Sequence, residues 1–324
     1  MKPLIIPLVA LASGFAGLQW NTESVPPVPH PRHEAAFAAA DGRFYLMGGR
    51  RIQPTDCFDP STGLWKSIAK PPLEIHHFQP LVRGHEIWVI GALTGKFPNE
   101  TPVPEIHIYD TRTDAWRKGP VIPEDRRRGG AGVVEHEGKI YLVCGIQRGH
   151  MGGFVPWLDC FDPATGTWQK LADAPHARDH FQSVIVDGKI YNAGGRRTSH
   201  ETKELMSLTV PEVDVYDMAS GAWSTLKEPI PTPRAGTSSI AIGNSVVVAG
   251  GESATQPLAH NEVESLDTRT GAWSALPPLQ RGRHGSGLIF HDGKLFTASG
   301  SGRRGGQPEL DSMESIKLPD SFIK

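Results

Sequence analysis

The chain has 324 residues, of which 36 are glycine and 28 are proline. This share is well above the roughly 12 % that the two residue types ordinarily supply together, and it excludes helical bundles and coiled coils. Its 38 % apolar content excludes a disordered chain. Because 33 basic residues balance 35 acidic ones, composition predicts no attraction to nucleic acid and none to an anionic membrane.

The N-terminus is organised like a secretory signal peptide. Lys2 precedes the apolar segment Leu4–Ala12, and Ser13–Ala16 follows it. We expect residues 1–16 to be a signal peptide, cleaved after Ala16, and the mature chain to be periplasmic or secreted; the alternative is a buried N-terminal strand. The apolar segment is too short for a spanning helix, and no later segment reaches 18 apolar residues, so no membrane span is predicted.

A period near 50 residues runs through the chain. Six tryptophans lie 45, 51, 52, 55 and 50 residues apart: Trp20, Trp65, Trp116, Trp168, Trp223 and Trp273. Ahead of each one except the first is an apolar strand that ends in small residues. Four units also contain a tight turn before this strand: Asp41-Gly42, Glu137-Gly138, Asp187-Gly188 and Asp292-Gly293. The pattern predicts four short antiparallel strands per unit.

The doubled glycine and the tyrosine four residues ahead of it, as in Tyr45–Gly49 and Tyr191–Gly195, resemble the kelch repeat, and so does the spaced tryptophan. Three copies depart from the glycine pair: Gly91-Ala92, Cys144-Gly145 and Ser299-Gly300. The resemblance covers residues 17–324 and implies an all-β fold, a six-bladed kelch β-propeller in one domain.

The first tryptophan predicts how the ring closes. Trp20 precedes the first glycine pair, and no tryptophan follows the sixth. We therefore expect residues 17–24 to pair with the C-terminal strand as the outermost strand of the last blade, so that the last blade is closed by the N-terminal strand.

Arginines recur 17 residues before the second glycine position of each repeat. The six residues there are Arg32, Ile75, Arg128, Arg178, Arg234 and Arg283. We expect them to surround the central mouth, where planar guanidinium groups would bind a carboxylate, phosphate or sulfate. The alternative is structural, because kelch repeats commonly carry an arginine here that bonds neighbouring loops.

Histidines are the second feature of the predicted mouth. Six lie at or beside it: His33, His76, His77, His150, His180 and His284. A cluster of this kind suits acid–base catalysis or metal binding, and for any single histidine the alternative is a plain hydrogen-bonding role. His77-Phe-Gln79 and His180-Phe-Gln182 repeat the same three residues, so His77 and His180 are our candidates for acid–base catalysis. We assign His284 to ligand binding. Trp157 lies outside the repeat pattern and either stacks on a sugar or caps the blade.

No cofactor and no metal site are predicted. Residues 300–305 fit G-x-G-x-x-G, but no helix follows. Glu252 and His260 resemble the iron site of kelch-type specifier proteins, but Gln256 stands where that site has an aspartate. The three cysteines form no close pair, so neither a disulfide framework nor a cysteine zinc site is indicated.

Propellers of this family that are secreted include copper-radical oxidases, sialic acid epimerases and binding modules, so the fold does not select the function. All five tyrosines belong to the repeat pattern, which excludes copper-radical chemistry. We predict a monomer that binds an anionic small molecule or acidic saccharide at the mouth. If it is an enzyme, it is an epimerase, mutarotase or lyase that acts by proton transfer. The alternative is a non-catalytic module that binds a protein partner.

Overall fold

A computed structural model describes residues 14–23 and 28–323 of the chain. These residues form six four-stranded antiparallel sheets and one two-stranded hairpin. Helical structure within them is limited to two 3₁₀ turns, Glu124–Arg126 and Gly149–Met151, and one short α-helix, α1 (Asp320–Ile323). None of the helices in this part of the chain has the length and apolar character needed to cross a membrane.

The strands are short and evenly distributed. In the first half of the chain they are β1 (Asn21–Glu23), β2 (Ala35–Ala40), β3 (Arg43–Gly48), β4 (Thr55–Asp59), β5 (Leu64–Ile68), β6 (Pro80–Arg83), β7 (Glu86–Val89), β8 (Leu93–Thr94), β9 (Thr101–Pro102), β10 (Glu105–Asp110), β11 (Ala115–Val121), β12 (Gly132–His136), β13 (Lys139–Val143), β14 (Leu158–Asp162) and β15 (Thr167–Lys170). In the second half they are β16 (Ser183–Val186), β17 (Lys189–Asn192), β18 (Asp214–Asp217), β19 (Ala222–Thr225), β20 (Ser238–Ile242), β21 (Ser245–Ala249), β22 (Val263–Asp267), β23 (Trp273–Leu276), β24 (Ile289–His291), β25 (Lys294–Ala298) and β26 (Met313–Lys317).

The sheets are the blades of a six-bladed propeller. From the axis outward they are β2-β3-β4-β5, β6-β7-β10-β11, β12-β13-β14-β15, β16-β17-β18-β19, β20-β21-β22-β23 and β24-β25-β26-β1. Neighbouring innermost strands contact one another around the ring, and β24 contacts β2. The predicted fold class is confirmed.

The N-terminal strand closes the last blade, as predicted. β1 pairs with β26, so that Asn21 lies opposite Ser315 and Glu23 opposite Met313. Trp20 is 1 % exposed, and its indole Nε1–H donates to the carbonyl oxygen of Pro277 at 2.9 Å. The first and last parts of the chain therefore share one sheet.

The repeated tryptophans connect neighbouring blades. The indole N–H groups of Trp116, Trp168 and Trp223 donate to Ala69, Val121 and Ala172, each near the end of the preceding blade. Four of the tryptophans also face an aromatic ring of the adjacent strand, in the pairs Phe58–Trp65, Tyr109–Trp116, Phe161–Trp168 and Tyr216–Trp223. Such cross-strand pairs stabilise these four sheets, and the N–H bonds explain why Trp116, Trp168 and Trp223 recur at equivalent positions.

The glycine pair allows the blades to approach closely. A Cβ on Gly48 would lie 2.6 Å from the carbonyl oxygen of Ile75, in the next blade. The amide of Gly49 donates to that same oxygen at 2.8 Å. Only a residue without a Cβ fits at such a distance, which explains why the pair stands at the end of the second strand.

The predicted signal peptide lies largely outside the described residues. Of its sixteen residues, only 14–16 are described, and Phe15 is 1 % exposed. The Phe15 ring packs edge-on against Phe322, with 5.2 Å between the ring centroids. Cleavage after Ala16 would remove this contact; the processing site stays a prediction.

Candidate functional site

The repeated arginines are buried inside the blades. Arg32, Arg128, Arg178 and Arg234 are fully buried, and Arg283 is 2 % exposed. Each guanidinium donates to backbone carbonyls of its own blade. It also pairs with a carboxylate on the third large strand, that is, the third of the blade's four strands counted from the axis. The five pairs are Arg32–Asp56, Arg128–Asp159, Arg178–Asp214, Arg234–Glu264 and Arg283–Glu314, at 2.5–2.7 Å.

This geometry matches the structural alternative for the arginines and not the expected ligand contacts. Arg178 illustrates it, because its Nη1 donates to the carbonyls of Asn192, Gly194 and Glu212 while Nη2 donates to Asp214. The side chain turns away from the mouth into the blade, since carbonyls left unpaired there would cost free energy.

The second blade provides a natural exception. Ile75 stands in place of the arginine, and His107 stands in place of the carboxylate. Ile75 is fully buried and His107 is 2 % exposed, and burial lowers the pKa of His107. The cation and the anion are thus replaced together. This supports the view that the main role of each arginine is its ion pair with the carboxylate of the same blade.

The residues two places after each arginine position form a ring around the propeller axis. All six residues there have a left-handed backbone, with φ between 54° and 65°: Glu34, His77, Gly130, His180, Gly236 and Gly285. Backbone hydrogen bonds of 2.6–3.1 Å connect each of these residues to the next blade. Glycine adopts this conformation without strain, whereas Glu34, His77 and His180 adopt it at a cost.

The repeated His-Phe-Gln segments place two glutamines across the axis. Gln79 accepts from the amides of Val133 and Ser183, in the next two blades. Gln182 in the same way accepts from Ser239 and donates to the carbonyl of Ser286. The glutamines therefore join blades, while the histidines of the same segments lie in the ring at the axis.

Hydrogen bonds determine which nitrogen of His77 is free. His76 Nε2 lies 3.2 Å from the carbonyl oxygen of Gly95 and therefore carries a proton. Its Nδ1 then accepts from His77 Nδ1 at 2.6 Å, which leaves the lone pair of His77 on Nε2. Burial lowers the pKa of His77 well below its usual range, so this imidazole is neutral.

Two further imidazoles are held by carboxylates. His180 Nδ1 donates to Asp179, which also accepts from the amide of Thr198 at 2.9 Å. His150 Nδ1 donates to Glu100 at 2.9 Å, and burial lowers the pKa of His150. In a neutral imidazole, donation from Nδ1 leaves the lone pair on the second nitrogen, Nε2.

The rings of His77, His150 and His180 form one cluster. Their centroids lie 4.7–5.1 Å apart, and one nitrogen of each lies within 4.8 Å of the others. Nε2 of His77 and Nε2 of His180 are buried without a hydrogen-bond partner among the described residues. Buried polar atoms of this kind are rare in folded proteins.

A charged network surrounds the cluster. His284 Nδ1 lies 3.5 Å from Glu34 and its Nε2 lies 3.4 Å from Glu252. Burial lowers the pKa of His284, but these carboxylates outweigh it and raise the value to about 9. Burial raises the pKa of Glu252, but His284 and Arg196 lower it to about 2. His284 is therefore a protonated link between two carboxylates.

An open cavity of about 360 Å³ lies beside the cluster, and His77 and His150 belong to its lining. Loops from several blades line it, and its polar residues include Arg50, Arg196, Glu34 and Glu252. Arg196 pairs with Glu252 at 2.5 Å and Arg50 with Glu100 at 2.5 Å. The cavity is thus polar at its floor, with each arginine matched to an acid.

Trp157 does not line this cavity. The guanidinium of Arg126 stacks over its ring at 3.9 Å, and that of Arg128 lies at 5.6 Å. The carbonyl of Trp157 accepts from the amide of Cys144 at 2.7 Å. These contacts match the alternative in which Trp157 caps its blade.

Of the predicted catalytic and ligand-binding residues, the structure brings His77, His180 and His284 together at the axis, and it places the five arginines and Trp157 elsewhere. Sequence reasoning did not assign Glu34, Glu100 or Glu252 to the site. The available signal for Glu34 was its position in the ring, where three of the six residues are glycine.

The chain is similar to known proteins over most of its length. The KLHDC2/KLHL20/DRC7 Kelch-repeats domain matches residues 81–300. The chain is 27 % identical to Kelch-like protein terF of Aspergillus terreus, over 93 % of this chain and 70 % of that protein. It is 24 % identical to Kelch-like protein 41a of Danio rerio, over 63 % of this chain and 34 % of that protein. It is 26 % identical to Beta-scruin of Limulus polyphemus, over 77 % of this chain and 28 % of that protein.

The chain thus spans about a third of the length of the last two relatives. A solved structure of YjhT superposes with a TM-score of 0.76 and 17 % sequence identity, over 93 % of this chain and 99 % of that one. At this level of identity the likeness shows the fold alone.

Proposed function

The chain belongs to the kelch-repeat family, and we propose that it binds a small polar molecule in its central cavity and moves protons on it. The observation that carries this proposal is the close cluster of His77, His150 and His180, of which His77 and His150 line an open cavity. An acidic saccharide is the ligand class that we propose.

Strain at the axis supports a functional role for the cluster. Three blades have glycine at the left-handed ring position, so a side chain is not needed there for folding. Glu34, His77 and His180 nevertheless occupy the other three positions, and strained residues of this kind concentrate at functional sites. A purely structural ring does not require two buried nitrogens that lack partners among the residues the structure describes.

The cavity suits a sugar with a carboxyl group. Phe97, Leu205 and Met206 provide apolar contacts for the less polar face of a ring. Arg50, whose side chain is 18 % exposed, is the lining cation most accessible to a carboxylate. Removal of a proton beside that carboxyl group leads to epimerisation if the proton returns to the other face, and to elimination if a neighbouring group leaves.

A single substitution tests the chemistry. His180→Asn keeps a residue type that tolerates a left-handed backbone but removes the imidazole. We expect ligand binding to change little and turnover to fall by roughly 10²–10⁴-fold, the usual contribution of a positioned acid or base. Thermal-shift measurements with uronates, sialic acids and sulfated sugars would identify the ligand, and NMR would detect the product.

His260→Gln is the matched control, because His260 is also buried but bonds Ser253 and Glu262 outside the cluster. Its turnover should equal that of the unmodified chain. If none of the sugars raises the melting temperature and none is converted, the proposal is wrong.

A protein-interaction role is the second candidate, and one observation favours it. Ile52, Phe97 and Leu258 are 50–57 % exposed, and all three lie on loops between the second and third large strands of their blades. Loops of this kind contribute residues to the cavity. If these loops bind a protein, Ile52→Ser and Leu258→Ser would weaken the complex, whereas His180→Asn would not.

Export to the periplasm or the exterior also stays our proposal, on the strength of residues 1–16. N-terminal sequencing of the chain recovered outside the cytoplasm should find a start near Gly17. A chain that still begins at Met1 would contradict it, and a start before Phe15 would preserve the contact with Phe322.

A further inference from the structure

We propose that His77, His150 and His180 bind one divalent transition-metal ion, of the zinc class, through their Nε2 atoms. The site lies in the cavity of the proposed function and deepens it, but the two can fail separately. Sequence analysis considered metal binding for the histidine cluster but predicted no metal site; these histidines belong to three different blades and form no short ligand motif.

The lone pairs are the first argument. The hydrogen bonds at Nδ1 place the lone pairs of the three clustered rings on Nε2, and among the described residues Nε2 of His77 and Nε2 of His180 are buried without a partner. Three acceptors facing one another repel unless something positive lies between them. A single water molecule offers only two hydrogens, so it leaves one acceptor unmatched. A cation matches all three.

The groups behind the imidazoles are the second argument. Metal-binding histidines almost always donate their other N–H to a carboxylate or another acceptor, which orients the ring and raises its basicity. His180 donates in this way to Asp179, and His150 donates to Glu100. His77 donates to the neighbouring imidazole of His76.

The charge of the surroundings is the third argument. Four carboxylates lie in or next to the cluster: Glu34, Glu100, Asp179 and Glu252. Against them stand Arg50, Arg196 and the protonated His284. These seven groups sum to one negative charge, so they lower the cost of bringing a cation into a buried site.

The distances allow such a site after small side-chain movements. The ligand atoms lie within 4.8 Å of one another, and two nitrogens bound to one zinc ion at 2.0–2.1 Å lie about 3.3 Å apart in a tetrahedral site. Three nitrogen donors favour zinc, copper or nickel over magnesium or calcium. Three protein ligands also leave a fourth position for a ligand.

In this arrangement the metal takes the lone pairs of the imidazoles, and Glu34 becomes the proton acceptor. Glu34 Oε2 lies 3.4 Å from His77 Nε2 and lines the cavity. The ion would draw electron density from a bound carboxylate or hydroxyl oxygen, which makes the neighbouring proton more acidic.

The binding of zinc alone tests the proposal. The full chain would be treated with EDTA, dialysed and titrated with Zn²⁺ in a calorimeter. We expect one site per chain, at least tenfold weaker in His180→Asn and in His150→Gln. Glu100→Gln, which changes the acceptor behind His150 and removes the charged partner of Arg50, should weaken binding by roughly 10–100-fold. His260→Gln, the buried control, should bind as the unmodified chain does.

Cobalt keeps the test decisive if the substituted chains do not fold. Co²⁺ in a tetrahedral nitrogen site absorbs visible light far more strongly than octahedral Co²⁺ does. The unmodified chain should show this strong absorption at one equivalent and lose it when Zn²⁺ is added. Weak absorption only, or zinc binding that the three histidines do not affect, would overturn the proposal.

Failure of this inference is distinguishable from failure of the proposed function. Sugar turnover that persists in EDTA, with no zinc site, would reject the metal and keep the catalytic cavity. A tight zinc site on a chain that neither binds nor converts any of the sugars would keep the metal and reject the proposed ligand class.

Discussion

Arg178→Met is expected to lower the free energy of unfolding by about 3–5 kcal/mol, the usual cost of removing one partner from a buried ion pair. The guanidinium is fully buried, donates to three backbone carbonyls and pairs with Asp214 at 2.7 Å. Methionine fills much of the volume but leaves those carbonyls without a donor and Asp214 without its charged partner. Chemical denaturation monitored by tryptophan fluorescence would measure the loss.

Arg148→Met is the matched control. Arg148 also pairs with a carboxylate, that of Glu201 at 2.7 Å, but its side chain is 56 % exposed. A surface pair of this kind contributes about 0–1 kcal/mol, so this substitution should change stability little. If the two variants lost similar amounts of unfolding free energy, the buried pair of Arg178 with Asp214 would not be a structural one. If Arg178→Met lost sugar binding but kept its stability, Arg178 would be a ligand contact.

The fold could be predicted because its signals recur. A close approach at the glycine pair recurs in several blades, as does an indole N–H that reaches the preceding blade, and both features follow a period of about 50 residues. The position of Trp20 was sufficient to predict the closing strand, because a marker without its own glycine pair must belong to another blade.

The orientation of the arginines could not be predicted from their position alone. Counting from the glycine pair located them correctly, but it did not show that each turns back into its blade. A second recurring residue type in the sequence indicates this orientation. In the same five blades an aspartate or glutamate stands at one equivalent position of the third large strand, where it pairs with the arginine. The replacement of both partners by Ile75 and His107 in the second blade is the strongest form of this signal.

The central cluster was predicted only in part. His77 and His180 are ring residues, so the repeat determines where they lie. His150, Glu100, Arg196 and Glu252 come from loops between the second and third large strands. These loops differ in length and conformation from blade to blade, so no periodic pattern in the sequence could show which of their side chains meet at the axis.

Trp20→Ala is expected to lower the free energy of unfolding by about 3–5 kcal/mol, as for other fully buried tryptophans. The indole packs in a core cluster with Leu295 and Ile316, donates to the carbonyl of Pro277, and stands next to the closing strand β1.

Trp223→Ala separates this closing role from the general role of a repeated tryptophan. Trp223 also donates its indole N–H to the preceding blade, at 2.8 Å, but it is only partly buried and its strand is joined to its own blade by a short turn. The strand after Trp20 has no such tether, because its pairing partner β26 lies almost 300 residues away in the chain. Loss of the Trp20 indole therefore removes its own contacts and also allows β1 to detach. For this reason Trp20→Ala should melt at a lower temperature than Trp223→Ala. Equal melting temperatures would show that the N-terminal strand does not hold the ring closed.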